Sequence, residues 1–389
     1  MKAIPSSRIA SLDVVRGLIM VLMALDHARD FFHIDAFRFA PEDLQQSNLS
    51  LFFTRWITHL CAPLFLLLAG ISIALYQEKK DAIATSNYVF FRGLWMVFLE
   101  LTIVRFGWQF AIGTDYILGA VIWVIGWSMV VMAVFVYLPK RIAGIVAILI
   151  LVLHNTLDRV HLDQSIVTKL CWSFLHVSSK TVITDQFYVF ILYPLLPAFG
   201  VLLLGYFIGY QCYTKDCPPQ KRIYYLLKAG IGCLLAFAWL RYNNGYGDVK
   251  QFAQQATDAQ SIMSFFDISK YPFSLHYCLA TLGIGFFLLI LAEKVQGRIS
   301  NVLATFGQVP MFYYILHLYF LHILSAVLFS IQYPNSHEQW MSLGHRKSIG
   351  YSLPIVYLIW IVSCVLFFFL CKWYGVYKKS HRNILTKLI

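Results

Sequence analysis

Charge is scarce in this chain. Only 13% of its 389 residues are charged, which excludes an ordinary soluble domain of this length. Cysteine pairing is missing as well. The eight cysteines stand singly at Cys61, Cys171, Cys212, Cys217, Cys233, Cys278, Cys364 and Cys371, so neither a disulfide framework nor a metal site is expected. Cys212 and Cys217 fall in a loop expected on the cytoplasmic side, where thiols stay reduced. The sequence has no Gly-rich phosphate loop, no H-E-x-x-H, no C-x-x-C and no G-x-S-x-G. Those absences remove the usual motif support for nucleotide binding, zinc proteolysis, thiol redox chemistry and α/β-hydrolase chemistry. Voltage-sensor arginine spacing and a selectivity-filter loop are also missing. The N-terminus lacks a small-residue cleavage site, so a cleaved signal peptide is not expected.

Apolar residues fill the space that charge leaves. The hydrophobic fraction is 59%, aromatics reach 17%, and mean hydropathy is +0.66. These values predict an all-α, polytopic integral membrane bundle with interfacial Trp and Tyr belts. About ten spans are expected, near 12–32, 51–76, 88–110, 116–138, 142–154, 188–211, 223–242, 272–292, 302–331 and 351–374, the fifth being short. The net charge of +12 is spread over short loops, so it reads as topology rather than as a nucleic-acid surface. With the N-terminus inside, 17 of the 31 Lys and Arg flank the inner ends and ten the outer ends, which predicts both termini in the cytoplasm. No repeat divides the chain, and 1–389 reads as one domain. The outer loops 155–187, 243–271 and 332–350 are rich in Asn, Gln, Asp and Tyr, which suits either a sugar ligand or plain solvation.

The first span, LDVVRGLIMVLMALDHARDFFH, carries the most information. Asp13, Arg16, Met20, Met23 and His27 fall close to one helical face, and Arg16 and His27 stand roughly 16 Å apart along the axis. Ionisable groups at membrane depth are costly, and function is their default reading. Asp13 and Arg16 read either as a helix-capping ion pair or as an anchor for an anionic cytosolic ligand. His27 reads either as an interfacial histidine bonded to Asp30 or as a catalytic group. In RWITHLCAP, Arg55 and His59 share a face near the His27 end, where Arg55 could simply neutralise Asp26 or Asp30. Pro63 marks a kink and Gly70 a close packing point. Glu100 reads as a buried counter-ion. Lys270, Tyr271 and His276 stand at the outer entry of the eighth span. In the ninth, Tyr314 and His317 share a face, with His317 at mid-membrane depth.

Six ordered blocks are more specific. SRIASLDVVRGLIMVLMALDH, RWITHLCAPLFLLLAG, YPLLPAFGVLLLGYFIG, FFDISKYPFSLHYCLATLG, FGQVPMFYYILHLYFLH and GYSLPIVYLIW resemble bacterial members of the heparan-α-glucosaminide N-acetyltransferase catalytic-domain family. The LDxxRG-to-His spacing is also similar to that of membrane acyltransferases that O-acetylate bacterial surface glycans. There the histidine eleven residues after the arginine is the presumed catalytic one, which carries over to His27. In heparan-acetylating members the position matching His27 looks like Asn and the active histidine lies in the loop beyond, which makes His33 the rival.

The resemblance implies acyl transfer from cytosolic acyl-CoA, with acetyl-CoA as donor and no metal, to a saccharide-like extracytoplasmic acceptor. On that expectation His27 is base or nucleophile, Asp26 or Asp30 orients it, and Arg55 or His59 stabilises the oxyanion. Asp13, Arg16, Lys270, Tyr271, Tyr314 and His317 complete the expected binding set. The expected surroundings are a bacterial-type inner membrane, without nucleic acid and with a homodimer left open. The competing class is a proton-coupled transporter or flippase that uses the same buried His, Asp and Arg.

Overall fold

A computed structural model describes residues 10–113, 115–214, 217–334 and 349–381. In chain order the helices of the first half are α1 (Ala10–Phe32), α2 (Leu49–Ile57), α3 (Cys61–Gln77), α4 (Ala82–Leu99), α5 (Arg105–Gln109), α6 (Val121–Phe135), α7 (Lys140–Leu153) and α8 (Ile166–Leu175). The second half holds α9 (Leu195–Tyr213), α10 (Pro219–Asn243), α11 (Asp258–Phe266), α12 (Leu275–Lys294), α13 (Arg298–Gln308), α14 (Pro310–Gln332) and α15 (Leu353–Ser380). Three short strands, β1 (Tyr116–Gly119), β2 (Ser179–Thr184) and β3 (Phe187–Ile191), make one sheet in the order β1-β3-β2.

Helix α1 is buried around most of its circumference, as a helix with little polar surface must be. It packs against α3, α12, α13, α14 and α15. Its crossing with α13 is backbone against backbone. A Cβ on Gly17 would lie 1.8 Å from the Leu303 carbonyl oxygen, and one on Gly307 would lie 1.9 Å from that of Asp13. Only glycine fits at those two points, and the closeness lets the Gly307 carbonyl reach Arg16. Helix α3 meets α9 in the same way through Gly70, as its sequence position led us to expect.

Several expected spans change form for identifiable reasons. The second is continuous from Leu49 to Gln77 but tightens to a 3₁₀ turn at Thr58–Leu60. Pro63 has no N–H to offer the His59 carbonyl four residues back, and the Tyr277 hydroxyl donates to it instead at 2.7 Å. A π-helical turn at Glu100–Val104 interrupts the third. Glu100, expected to be a counter-ion, accepts from the backbone N–H groups of Ile122 (3.0 Å) and Trp123 (3.2 Å). It caps the N-terminus of α6, where the helix dipole favours a negative charge. The short fifth span runs on through a 3₁₀ segment to Arg159 and reaches 20 residues. The expected 302–331 span is two helices. Pro310 disfavours helical geometry at Val309 (φ −133°, ψ 53°), so α13 ends and α14 starts on a new axis.

The all-α expectation needs one correction. Residues 116–119 and 187–191, expected as the starts of two spans, are the paired strands β1 and β3, with Tyr116 opposite Tyr188 and Leu118 opposite Phe190. Both are short, rich in aromatic and aliphatic residues and partly buried along their length, with Gly119 ending the first and Pro194 starting the helix soon after the second, which suits a strand better than a helix. Among the described residues, seven helical stretches are long and apolar enough to cross a membrane. Of the ten expected, α1 carries charges at both ends, the stretch 82–109 is broken by the π turn, and α6 has 15 residues. The chain is an α-helical integral membrane bundle with one small sheet. Residues 1–9, 382–389, Lys215 and most of loop 332–350, on which the expected sidedness partly rests, lie outside the described residues.

Candidate active site

Two cavities enter the bundle from opposite ends of α1 and share two wall residues, Val121 and Tyr314. The cavity at the Arg16 end has a volume of about 320 Å³. Arg16, Arg92 and Lys378 line it, together with the stacked rings of Tyr76 and Tyr88 (4.4 Å between centroids). Its inner walls are a sleeve of flexible apolar side chains: Met20, Met23, Met96, Met129 and Met311. Arg16 is held by Asp13 (2.9 Å), the Gly307 carbonyl (3.2 Å) and the Ser72 hydroxyl (3.2 Å). Asp13 thus fixes the arginine and is not itself on the cavity wall. Both open readings of this pair fit together: it is an ion pair, and it presents a cation to a cavity.

The cavity at the His27 end is larger, about 910 Å³, and is walled by Asp26, His27, Arg29, Asp30, Arg55, Trp108, Lys270 and Tyr271. Alternate residues of the paired strands β1 and β3, Tyr116 and Leu118 with Tyr188 and Phe190, close one side of it. His27 stands where the two cavities approach, its ring 4.8 Å from Trp108 and 6.1 Å from Tyr314 between centroids.

The His27 ring is oriented by a hydrogen-bond chain that fixes its tautomer. His317 Nδ1 lies 2.8 Å from the Tyr313 carbonyl, which can only accept, so that nitrogen carries the proton. In the neutral ring His317 Nε2 is then an acceptor, and His27 Nδ1, 2.7 Å away, donates to it. The lone pair of His27 is left on Nε2. The partner of His27 is therefore His317 on α14, not Asp30 as one open reading had it.

The carboxylates belong to a neighbouring ion network. Asp26 accepts from Arg29 (3.0 Å) and Arg55 (2.6 Å), and Asp30 accepts from Arg29 (2.6 Å). Arg55 also donates to Glu42 (3.1 Å) and the Tyr271 hydroxyl (3.2 Å). His59 meets Glu42 at 3.4 Å and lines neither cavity. Burial alone would push the Glu42 carboxyl up. The His59 hydrogen bond and the Arg55 charge outweigh it and hold that carboxyl far below the usual range. The structure thus gathers Asp26, His27, Asp30, Arg55, Lys270, Tyr271 and Tyr314 around one space, places His317 directly behind it and sets His59 aside. His33 is also apart: its Nδ1 accepts from the Asp35 N–H (3.2 Å), and its backbone bridges to Tyr351.

Sequence reasoning missed Arg29, Glu42 and Trp108. Arg29 at three residues from Asp26 and one from Asp30 was readable as their partner; nothing local marks the other two. Loop 243–271 owes its shape to Arg241, which is fully buried and donates to the backbone carbonyls of Lys250, Ser264, Phe265 and Asp267. That clamp delivers Lys270 and Tyr271 to the cavity.

The fold and site define a polytopic membrane protein with two opposed cavities and a buried histidine pair, one ring of which lines the larger cavity. A family model described as heparan-alpha-glucosaminide N-acetyltransferase, catalytic, matches residues 8–237. The chain belongs to that family, and with it to the acyltransferase type of enzyme. No curated protein matches the chain. The match covers α1, the Arg55 network and Trp108; Lys270, Tyr271, Tyr314 and His317 lie beyond its end.

Proposed function

We propose that the protein moves an acetyl group from cytosolic acetyl-CoA to a hydroxyl or amine of an extracytoplasmic, saccharide-like acceptor. The membrane would be a bacterial-type inner membrane, with both chain ends in the cytoplasm. The observation that carries this reading is the place of His27, on the wall of the larger cavity beside Tyr314, which both cavities share, tied at Nδ1 to His317 and carrying its lone pair on Nε2. The cavity at the Arg16 end fits the donor. Arg16, Arg92 and Lys378 would receive its phosphates, and the methionine sleeve its narrow apolar arm. His27 Nε2 takes the acceptor proton as the acceptor oxygen or nitrogen bonds to the acetyl carbon. The carbon–sulfur bond breaks, and His27 returns that proton to the departing thiolate. Tyr314, whose ring flanks His27 and whose hydroxyl accepts from the Trp108 indole and keeps its own proton to give, is the donor nearest to hand for the oxyanion. Loss of a general base costs roughly 10²–10⁴ in rate. His27→Ala should therefore be nearly inactive in acetyl-CoA turnover with a supplied acceptor, while folded His33→Ala keeps most activity. The reverse ranking moves the active site into the loop. Full activity in both places the base at neither histidine and overturns the mechanism drawn here.

A further inference from the structure

The cavity at the His27 end contains a cation that makes no hydrogen bond or salt bridge among the described residues. Lys270 is only 8% exposed, yet it lines both the 910 Å³ cavity and an adjoining pocket of about 600 Å³. An ammonium at such depth is costly unless something pairs with it. The neighbouring carboxylates are engaged elsewhere. Asp26 and Asp30 bond Arg29, Asp26 and Glu42 bond Arg55, and Asp267 bonds Lys250. Among the described residues no carboxylate comes within 4.0 Å of the Lys270 ammonium; it lies over the Tyr271 ring, 5.4 Å from the centroid, and feels the Asp26 and Asp30 carboxylates only at longer range.

Tyr271 adds a second donor beside it. Its oxygen accepts from Arg55 (3.2 Å) and from the Tyr193 hydroxyl (3.4 Å), which uses both lone pairs and leaves its own proton to give. Burial would push this phenol up, but the charges of Lys270 and Arg55 prevail and hold it below its ordinary range, which sharpens it as a donor.

We infer that Lys270 and Tyr271 form an anion subsite in the acceptor cavity, so that the acceptor carries a carboxylate or a phosphate close to the group that receives the acyl chain. This deepens the acyltransferase reading and rests on it for the word acceptor, while the subsite itself is testable without any acyl donor. A neutral saccharide would leave the ammonium facing the cavity without an anion in contact; an acidic one would supply it. A lysine serving only the reaction's oxyanion would instead treat acidic and neutral acceptors alike.

The experiment is equilibrium binding by calorimetry to the full chain in lipid nanodiscs, with no acetyl-CoA present. Methyl β-D-glucuronide is compared with methyl β-D-glucoside, and glucose 6-phosphate with glucose. The acidic member of at least one pair should bind about tenfold or more tightly, as expected for a charge-assisted hydrogen bond. The pair that shows the preference identifies the anion. Lys270→Gln should erase the preference, Lys270→Arg should keep most of it, and Tyr271→Phe should reduce it. If Lys270→Gln fails to fold, suppression of the wild-type preference by salt decides the point. Equal binding of acidic and neutral twins, no binding of either acidic probe, or a preference that survives in folded Lys270→Gln overturns the proposal. Failure of acetyl transfer in a parallel assay would count against the acyltransferase reading alone.

Discussion

Replacing His317 probes the hydrogen-bond chain more sharply than replacing His27 itself. His317→Ala removes the acceptor of the 2.7 Å bond from His27 Nδ1 and, with it, the bond that fixes which His27 nitrogen is bare. One such bond is worth roughly 0.5–1.5 kcal/mol, and the stranded, buried Nδ1–H adds about 1–3 kcal/mol. A base displaced by about 1 Å loses on the order of 10²-fold in rate by misorientation alone. The expected outcome is a fall in kcat of about 10²-fold, smaller than for His27→Ala, with the acetyl-CoA KM little changed. His317→Gln restores an acceptor oxygen near the position of Nε2 and should recover part of the loss. The double variant should be no worse than His27→Ala, because the two rings act as a unit. The assay is acetyl-CoA consumption with acceptor in proteoliposomes, with thermal unfolding of each variant measured alongside. More than half of wild-type activity in folded His317→Ala would refute the orienting role, as would a double variant whose losses simply add.

Arg16→Ala should weaken acetyl-CoA binding by about tenfold through loss of one charge-assisted contact, measured by calorimetry; unchanged affinity would shift the anchor to Arg92 or Lys378. Tyr314→Phe, which removes the hydroxyl and keeps the ring that both cavity walls share, should lower the rate of acetyl transfer by about 10²-fold; a wild-type rate in the folded variant would place the oxyanion donor elsewhere. Cysteine labelling at Lys80, Gln164 and Gln254 should read cytoplasmic, outside, outside, and two reversals would overturn the proposed sidedness.

What could be read from the sequence was what a helix makes local. The stripe from Asp13 to His27 follows from 3.6 residues per turn, and the structure keeps Arg16 and His27 on the walls of opposed cavities. Pro63 and Gly70 behaved as their chemistry requires. The missing parts were non-local. His317 stood out in the sequence only as a mid-membrane histidine; its pairing with His27, 290 residues away, depends on how α14 packs on α1. Glu100 resembles any buried carboxylate until the π turn presents it to the start of α6. The strands at 116–119 and 187–191 look like span ends because their apolar composition outweighs their short length. Glu42 sits in a polar loop with no periodicity, and only the fold brings it to Arg55 and His59.

The central claim is that one histidine serves two compartments, so the decisive measurement is vectorial. Vesicles reconstituted with the protein, oriented by the cysteine labels above, would enclose an acidic saccharide while acetyl-labelled acetyl-CoA is added to the medium. With the Arg16 face outward, label should appear covalently on the enclosed saccharide while coenzyme A remains outside, and His27→Ala should abolish the transfer. Appearance of coenzyme A itself inside the vesicles, or movement of saccharide without acetylation, would contradict the account and make the two cavities halves of a transport path.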